Sequence, residues 1–190
     1  MSNNIVYKNI HLQLNDIHLK DSLKFAGLKI SDYPNFANIE TFHNQYKEKL
    51  KQLCASAPYV EIGYSGTYKN GANFDYIFGC LIDDEQNIPE GLTVFDTGLT
   101  DFVEVQFEAA SSFELVGGED GPGDAMEQAG EYIKNQWIPE HKDQVELIDA
   151  ANNIFAFSKD GVQYLTGTIE IYKLEIEEDH KMSFYIPLKK

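Results

Sequence analysis

The chain has 190 residues, with 15 lysines and arginines against 31 aspartates and glutamates, which gives a formal charge of −16 at pH 7. Such a charge repels phosphate backbones and anionic lipids, so we expect neither direct nucleic-acid binding nor membrane-surface binding. It favours cationic ligands or a basic protein partner. Hydrophobic residues form 43% of the chain, which is enough for one large domain or two small halves sharing a core.

Targeting features are lacking in the sequence. The N-terminal stretch has no apolar region of the secretory type, and no run approaches the ~20 apolar residues of a membrane-spanning helix. The two cysteines, Cys54 and Cys80, belong to no CxxC pair. We therefore predict a cytoplasmic protein with two reduced, mostly buried thiols.

The first half of the chain predicts a β-α-β-β unit. Residues 1–22 alternate loosely, which fits either an N-terminal strand pair or an extension packed on the domain. A strand is predicted over 23–31, and apolar residues spaced by three and four predict a helix after Asn38 that ends before Pro58. Two further strands, 59–68 and 74–82, are joined by a hairpin-type loop.

The strand 74–82 is largely apolar at both its odd-numbered and its even-numbered positions, which is typical of a strand covered on both faces. Gly79 lies inside it, and a glycine there often marks the close approach of a backbone or a ligand. An acidic turn follows, and then Pro89 and Gly91 bracket a second turn.

The second half repeats the order of the first. A strand over 101–109 precedes a helix that begins at Asp124, with Glu127 completing a capping-box-like pair, and that ends at Pro139. Later strands are predicted over 153–158, 166–176 and 182–188, with a bulge inside 169–176. Two β-α-β-β units predict an α+β fold in which tandem units form an antiparallel sheet, with helices on one face and a central cleft.

Several short motifs occur in a characteristic order. They are Phe74-Asp75-Tyr76-Ile77-Phe78-Gly79, Ile88-Pro89-Glu90-Gly91-Leu92, the strand from Phe102 to Phe107, Trp137, and Phe184-Tyr185-Ile186-Pro187-Leu188-Lys189. In this order they resemble the gyrase-inhibitor-like family of small-molecule-binding proteins, which includes the effector-binding domains of AraC-type regulators. The resemblance covers residues 23–190, in halves of about 23–91 and 92–190, and leaves 1–22 as an N-terminal extension.

The resemblance implies a stand-alone module that binds lipophilic, often cationic, small molecules in an aromatic-lined cleft, in the manner of multidrug-binding proteins. It would take part in transcription regulation only through another protein, because no DNA-binding helix-turn-helix is visible. Two alternatives stay open. One is a hydrolase of cyclopropane-bearing compounds or related xenobiotics, and the other is an acidic protein-interaction module that engages a basic partner, as gyrase inhibitors do.

One position departs from the family pattern. The family usually carries a glutamate just before the terminal Tyr-Ile-Pro sequence, where it faces the cleft as counter-ion or acid. The aligned residue here is Ser183. This departure puts both cation binding at that point and hydrolysis in doubt, unless Glu104 or Glu61 substitutes.

Two carboxylates and a set of aromatic residues are the candidate ligand contacts. Glu61 and Glu104 each lie in mid-strand between apolar neighbours, so each faces a cleft, a partner or water. Aromatic rings attract cations by roughly 0.5–2 kcal/mol, although ordinary core packing explains many of them equally well. The complete candidate set is Glu61, Tyr64, Tyr76, Phe78, Phe102, Glu104, Trp137, Ser183 and Tyr185.

The sequence shows no sign of a nucleophile, a phosphate-binding loop or a metal site. Gly63-Tyr64-Ser65-Gly66 is not a nucleophile elbow, and the glycine-rich loop 117–123 lacks the lysine of a phosphate-binding loop. The five histidines have no metal-ligand spacing. We therefore expect no catalytic residues, no metal and no cofactor.

Overall fold

The computed structural model describes residues 3–33, 51, 53, 59–64, 74–82, 88–116, 124–145, 156–159, 162–165, 169–172 and 180–189. Its strands are β1 Asn3–Tyr7, β2 Ile10–His18, β3 Lys24–Tyr33, β4 Tyr59–Tyr64, β5 Phe74–Leu81, β6 Thr93–Asp96, β7 Asp101–Glu108, β8 Ala156–Lys159, β9 Val162–Leu165, β10 Ile169–Tyr172 and β11 Lys181–Pro187. Its helices are α1 Ser112–Val116, α2 Asp124–Tyr132 and α3 Ile138–His141, with a π-helical segment Ile133–Trp137 between the last two. Lys51 and Leu53 are also helical.

Nine of these strands form one antiparallel sheet in the order β1-β2-β7-β11-β10-β4-β5-β3-β6, while β8 and β9 pair separately. The α+β class and the mainly antiparallel pairing predicted from the sequence are therefore confirmed.

The strand order is that of two repeated units. In each unit the third strand lies between the first and the second: β5 between β3 and β4, and β11 between β7 and β10. The second strands, β4 and β10, pair antiparallel at the centre of the sheet. The order is therefore palindromic about the β4–β10 seam.

The strands that precede the two units are exchanged between them. β2 comes just before β3 in the chain but pairs with β7, and β6 comes just before β7 but pairs with β3. The β1–β2 hairpin thus extends the sheet, so of the two alternatives for the N-terminal residues the structure shows the strand pair.

The two faces of the sheet differ over β2, β7 and β11. Alternate residues point to opposite faces of a strand. One alternation set packs against α2 and the π segment and forms the main core, which includes Leu12, Leu14, Val105, Phe107 and Phe184. We call this the core face, and we call the other side the opposite face.

The helix that begins at Asp124 runs further than the sequence indicates. Pro139 was expected to end it, but the chain continues through the π segment into α3, where this proline occupies the first turn. Trp137 and Ile138 both have helical backbone angles, and the Ile138 N–H donates to the Ile133 carbonyl, so the backbone stays helical up to this proline.

The expectation for Gly79 is confirmed as a close approach of backbones. In register it lies directly opposite Gly27 of β3. A Cβ atom built on Gly79 would lie 2.1 Å from the carbonyl oxygen of Ala26 and 2.7 Å from the Cα of Gly27. The two strands could not keep this spacing with a side chain between them.

The expectation of a reduced thiol at Cys80 is wrong. This residue is fully buried and disulfide-bonded. Sequence spacing could not reveal the bond, because a disulfide depends on which residues the fold brings together. Cys54 lies outside the described residues.

Candidate functional site

A half-buried carboxylate, Glu104 of β7, lies on the opposite face of the sheet. Its position in the register is directly opposite Asn15 of β2 on one side and Tyr185 of β11 on the other. Ser183 lies two residues before Tyr185 on the same strand and therefore on the same face. We call these four residues the Glu104 site.

Both oxygens of the Glu104 carboxylate accept hydrogen bonds from neutral donors. The Asn15 side-chain amide donates to Oε2 at 3.0 Å, and the Ser183 hydroxyl donates to Oε1 at 2.8 Å. Ser183 is only 6% exposed, and a buried hydroxyl needs such a partner. The carboxylate is therefore held in place from two strands.

These contacts orient the Glu104 carboxylate but do not neutralise its charge. The ion pairs shown by the described parts of the chain involve other carboxylates, namely Asp96, Asp101, Glu108 and Glu131. A hydroxyl and an amide stabilise an anion but leave its net charge in place. The site can therefore attract a cation.

An apolar cluster adjoins the carboxylate on the same face. The rings of Tyr185 and Phe102 lie 5.7 Å apart between centroids and are tilted by 44°. Phe102 is fully buried against Leu23 and Phe25, with Leu81 packed at the edge of the cluster. An aromatic wall thus stands beside the carboxylate.

The phenol of Tyr185 stays neutral at physiological pH. Burial, and then the negative charge of Glu104, raise its pKa to about 12. Both causes disfavour the phenolate, one by removing water and one by repulsion. Tyr185 can therefore present an aromatic ring and a hydroxyl donor to a ligand, but not a second negative charge.

The structure brings four of the predicted site residues together: Phe102, Glu104, Ser183 and Tyr185. Trp137 is not among them. It is 5% exposed in the main core on the other side of the sheet, and it stacks on His141 at 4.4 Å between ring centroids.

The other four predicted residues lie on β4 and β5. Glu61 is opposite Phe78 in register, Gly63 is opposite Tyr76, and Tyr64 is opposite Asp75. Glu61 also faces Glu170 across the β4–β10 seam. The side chains of these strand residues lie outside what the structure describes, so their part in a site stays a prediction.

Asn15 is the member of the site that sequence reasoning missed. It alternates with the apolar residues Leu12 and Leu14, and such alternation marks a side chain on the face opposite the core. Its contact with Glu104 spans 89 positions of the chain, and no local pattern encodes that pairing.

Two negative findings concern only the described residues. Among them, no group of three or more His, Cys, Asp or Glu side chains is arranged to hold a metal ion. Within the same residues, no helix is both long enough and apolar enough to cross a membrane.

Comparison with solved structures identifies similar folds. SAV2435 bound to tetraphenylphosphonium matches with a TM-score of 0.52 at 13% identity, over 97% of this chain and 94% of that one. The C-terminal domain of EcmrR matches with a TM-score of 0.50 at 12% identity, over 98% and 99%. In the EcmrR–DNA complex, the match has a TM-score of 0.53 and covers 58% of the longer EcmrR chain.

No protein-family model and no curated protein sequence matches the chain. The structural likeness therefore shows a common fold. At these identities, ligands and partners do not carry over with it.

Proposed function

We propose that this chain is a gyrase-inhibitor-like binding protein that takes lipophilic cations on the opposite face of its sheet, with Glu104 as the counter-ion. The observation that carries the proposal is the Glu104 carboxylate itself, which is held by Asn15 and Ser183 and unneutralised by the described residues. Tetraphenylphosphonium in SAV2435 shows that a protein of this fold binds such a cation.

The neighbouring residues suit the same class of ligand. Tyr185, which is half-buried, offers ring surface next to the negative charge, and the fully buried Phe102 packs behind it. A cation over an aromatic face gains roughly 0.5–2 kcal/mol, and more when water is excluded. A compact lipophilic cation could therefore contact the Glu104 carboxylate and the Tyr185 ring at once.

Ser183 fits this proposal despite its departure from the family pattern. The family resemblance places a glutamate at this position of β11. Here the nearest described carboxylate comes from the adjacent strand β7, and the Ser183 hydroxyl donates a hydrogen bond to it. The negative charge is thus displaced by one strand rather than lost.

Calorimetry with two ions of the same shape and opposite charge tests the proposal. We expect tetraphenylphosphonium to bind and tetraphenylborate not to bind. Glu104→Gln should weaken tetraphenylphosphonium binding by roughly thirtyfold, or about 2 kcal/mol, because it removes the charge and keeps the shape.

The matched control is Glu140→Gln, which removes the same charge from an exposed position on α3. It should leave the affinity within about twofold of the native value, as expected for a distant surface charge. Equal affinity of native protein and Glu104→Gln, or equal binding of the two ions, would overturn the proposal.

A further inference from the structure

A polar hollow of about 320 Å³ lies on the opposite face of the sheet, next to the Glu104 site. Its volume is at the lower end of the range for small-molecule sites. Two of its lining residues, Leu12 and Phe107, bury their side chains in the core face. The other six present polar side chains: Asn4, His11, Gln13, Gln106, Glu108 and Lys181.

The register places four neutral polar residues in one row across four strands. Asn4 is opposite Gln13, Gln13 is opposite Gln106, and Gln106 is opposite Ser183. Primary amides carry both donors and acceptors. The row can therefore bind a group that both donates and accepts hydrogen bonds.

Charge does not define this hollow. Glu108 and Lys181 form an ion pair at 3.6 Å between Oε2 and Nζ. These opposite charges compensate each other at the end of the hollow that lies further from Glu104. An uncharged polar group is the partner that the remaining side chains match.

The hollow and the Glu104 site are neighbours on the same face of the sheet. Gln106 lies two residues from Glu104 on β7, which is about 7 Å along a strand. Gln13 donates to the side-chain oxygen of Asn15 at 3.5 Å, and Asn15 in turn donates to Glu104. The face thus runs from aromatic, through anionic, to neutral polar.

We infer that the hollow is a subsite for an uncharged hydrogen-bonding group on the same ligand that Glu104 binds. The ligand class is an elongated amphipathic cation, with an aromatic or lipophilic end, a cationic centre, and a carboxamide or similar group about 7 Å beyond it. This inference rests on the proposed function and adds the hydrogen-bonding group to the lipophilic and cationic parts of the ligand.

Two phosphonium probes that differ only at the tail test the inference. One is (4-carbamoylbutyl)triphenylphosphonium, and the other is (5-methylhexyl)triphenylphosphonium, its hydrocarbon isostere. We expect the carboxamide to bind about three- to tenfold more tightly, as one net hydrogen bond would give. Gln106→Leu and Gln13→Leu should each bring the ratio of affinities close to one.

Gln136→Leu is the matched control, because it makes the same change at an exposed position of the π segment. It should keep the native ratio. Circular dichroism of each variant verifies its fold, and two separate hollow variants keep the test independent of either one.

The outcomes separate this inference from the proposal beneath it. If native protein does not bind tetraphenylphosphonium, the proposed function fails and this inference fails with it. If tetraphenylphosphonium binds but the hydrocarbon probe equals or exceeds the carboxamide probe, only the subsite is overturned. A preference for the carboxamide that survives in both hollow variants also overturns it.

Discussion

At the scale of single residues, the proposed site depends on the contact between Ser183 and Glu104. The family resemblance implies a glutamate where Ser183 stands, and sequence alone left open whether Glu104 or Glu61 substitutes. The Ser183 hydroxyl donates to Glu104 on the neighbouring strand. The sequence identified Glu104 as a candidate and placed it on a strand. Its contact with Ser183 follows only from the pairing of β7 with β11.

The titration of Tyr185 reports directly on this arrangement. Its pKa is raised to about 12 by burial and by Glu104. Glu104→Gln should lower that pKa, because it removes the repulsion of the phenolate. NMR of ring-labelled tyrosine across pH 9 to 13, with Tyr185→Phe to assign the signal, measures the shift.

The same shift has a consequence for stability. Between pH 10 and 12 the unfolded chain has lost this proton while the folded protein keeps it, so Tyr185 contributes stability below pH 10 that is lost as the pH rises. If the assigned Tyr185 signal titrates near pH 10 in native protein, the description of the site is wrong.

Gly79 is a second residue with a defined structural requirement. Gly79→Ala would place a Cβ 2.1 Å from a backbone oxygen of β3, and a backbone cannot move aside as a flexible side chain can. We expect a loss of about 3 kcal/mol or more in the free energy of unfolding. Urea denaturation measures it.

The control for this change is Gly130→Ala, at a position in α2 where an added Cβ meets nothing within 4 Å. Alanine favours a helix over glycine, so this variant should gain about 0.5–1 kcal/mol. A Gly79→Ala protein as stable as the native one would contradict the close approach of β3 and β5.

Three long strands were predicted well from the sequence, and one short strand was missed. The expected strands 74–82, 101–109 and 182–188 appear as Phe74–Leu81, Asp101–Glu108 and Lys181–Pro187. Each is an apolar-rich segment of seven or eight residues, which is long enough to be recognised from the sequence. Within the predicted strand 166–176, the structure describes 169–172, which form the strand Ile169–Tyr172, and the rest lies outside the described residues. The strand Val162–Leu165 was not foreseen.

The β1–β2 hairpin is the element whose role the sequence could not decide. Its pairing with β7 joins residues that are about ninety positions apart, and such a register is not encoded locally. Burial of Leu12 at 1% exposure between the sheet and the helices shows that the hairpin contributes to the core.

Leu12→Ala tests that contribution. Removing a buried leucine should cost about 2–4 kcal/mol of stability, through lost burial and the cavity left behind. Val6→Ala on the adjacent strand is the control, because Val6 is 67% exposed and should change stability by less than about 0.5 kcal/mol. Equal losses in the two variants, measured by thermal and urea unfolding, would contradict the packing of the hairpin.

At the scale of the molecule, two β-α-β-β units share one sheet and exchange the strands that precede them. This exchange places β2 beside β7, so Asn15 from before the first unit holds Glu104 of the second. The duplication was predictable from the repeated order of elements. The exchange was not, because neither unit contains a local pattern that selects β2 over β6 as its neighbour.

The division of the sheet into a core face and an opposite face decides where a ligand can sit. Trp137 was predicted as a ligand contact, but it packs in the core. Glu104, Ser183 and Tyr185 lie on the other side. We therefore expect the proposed ligand to bind on the side away from α2.

A structure of the complex with tetraphenylphosphonium tests that assignment most directly. We expect the phosphorus within about 6 Å of the Glu104 carboxylate, with a phenyl ring against Tyr185. A cation bound on the core face beside Trp137, or at the outer surface away from Glu104, would contradict it.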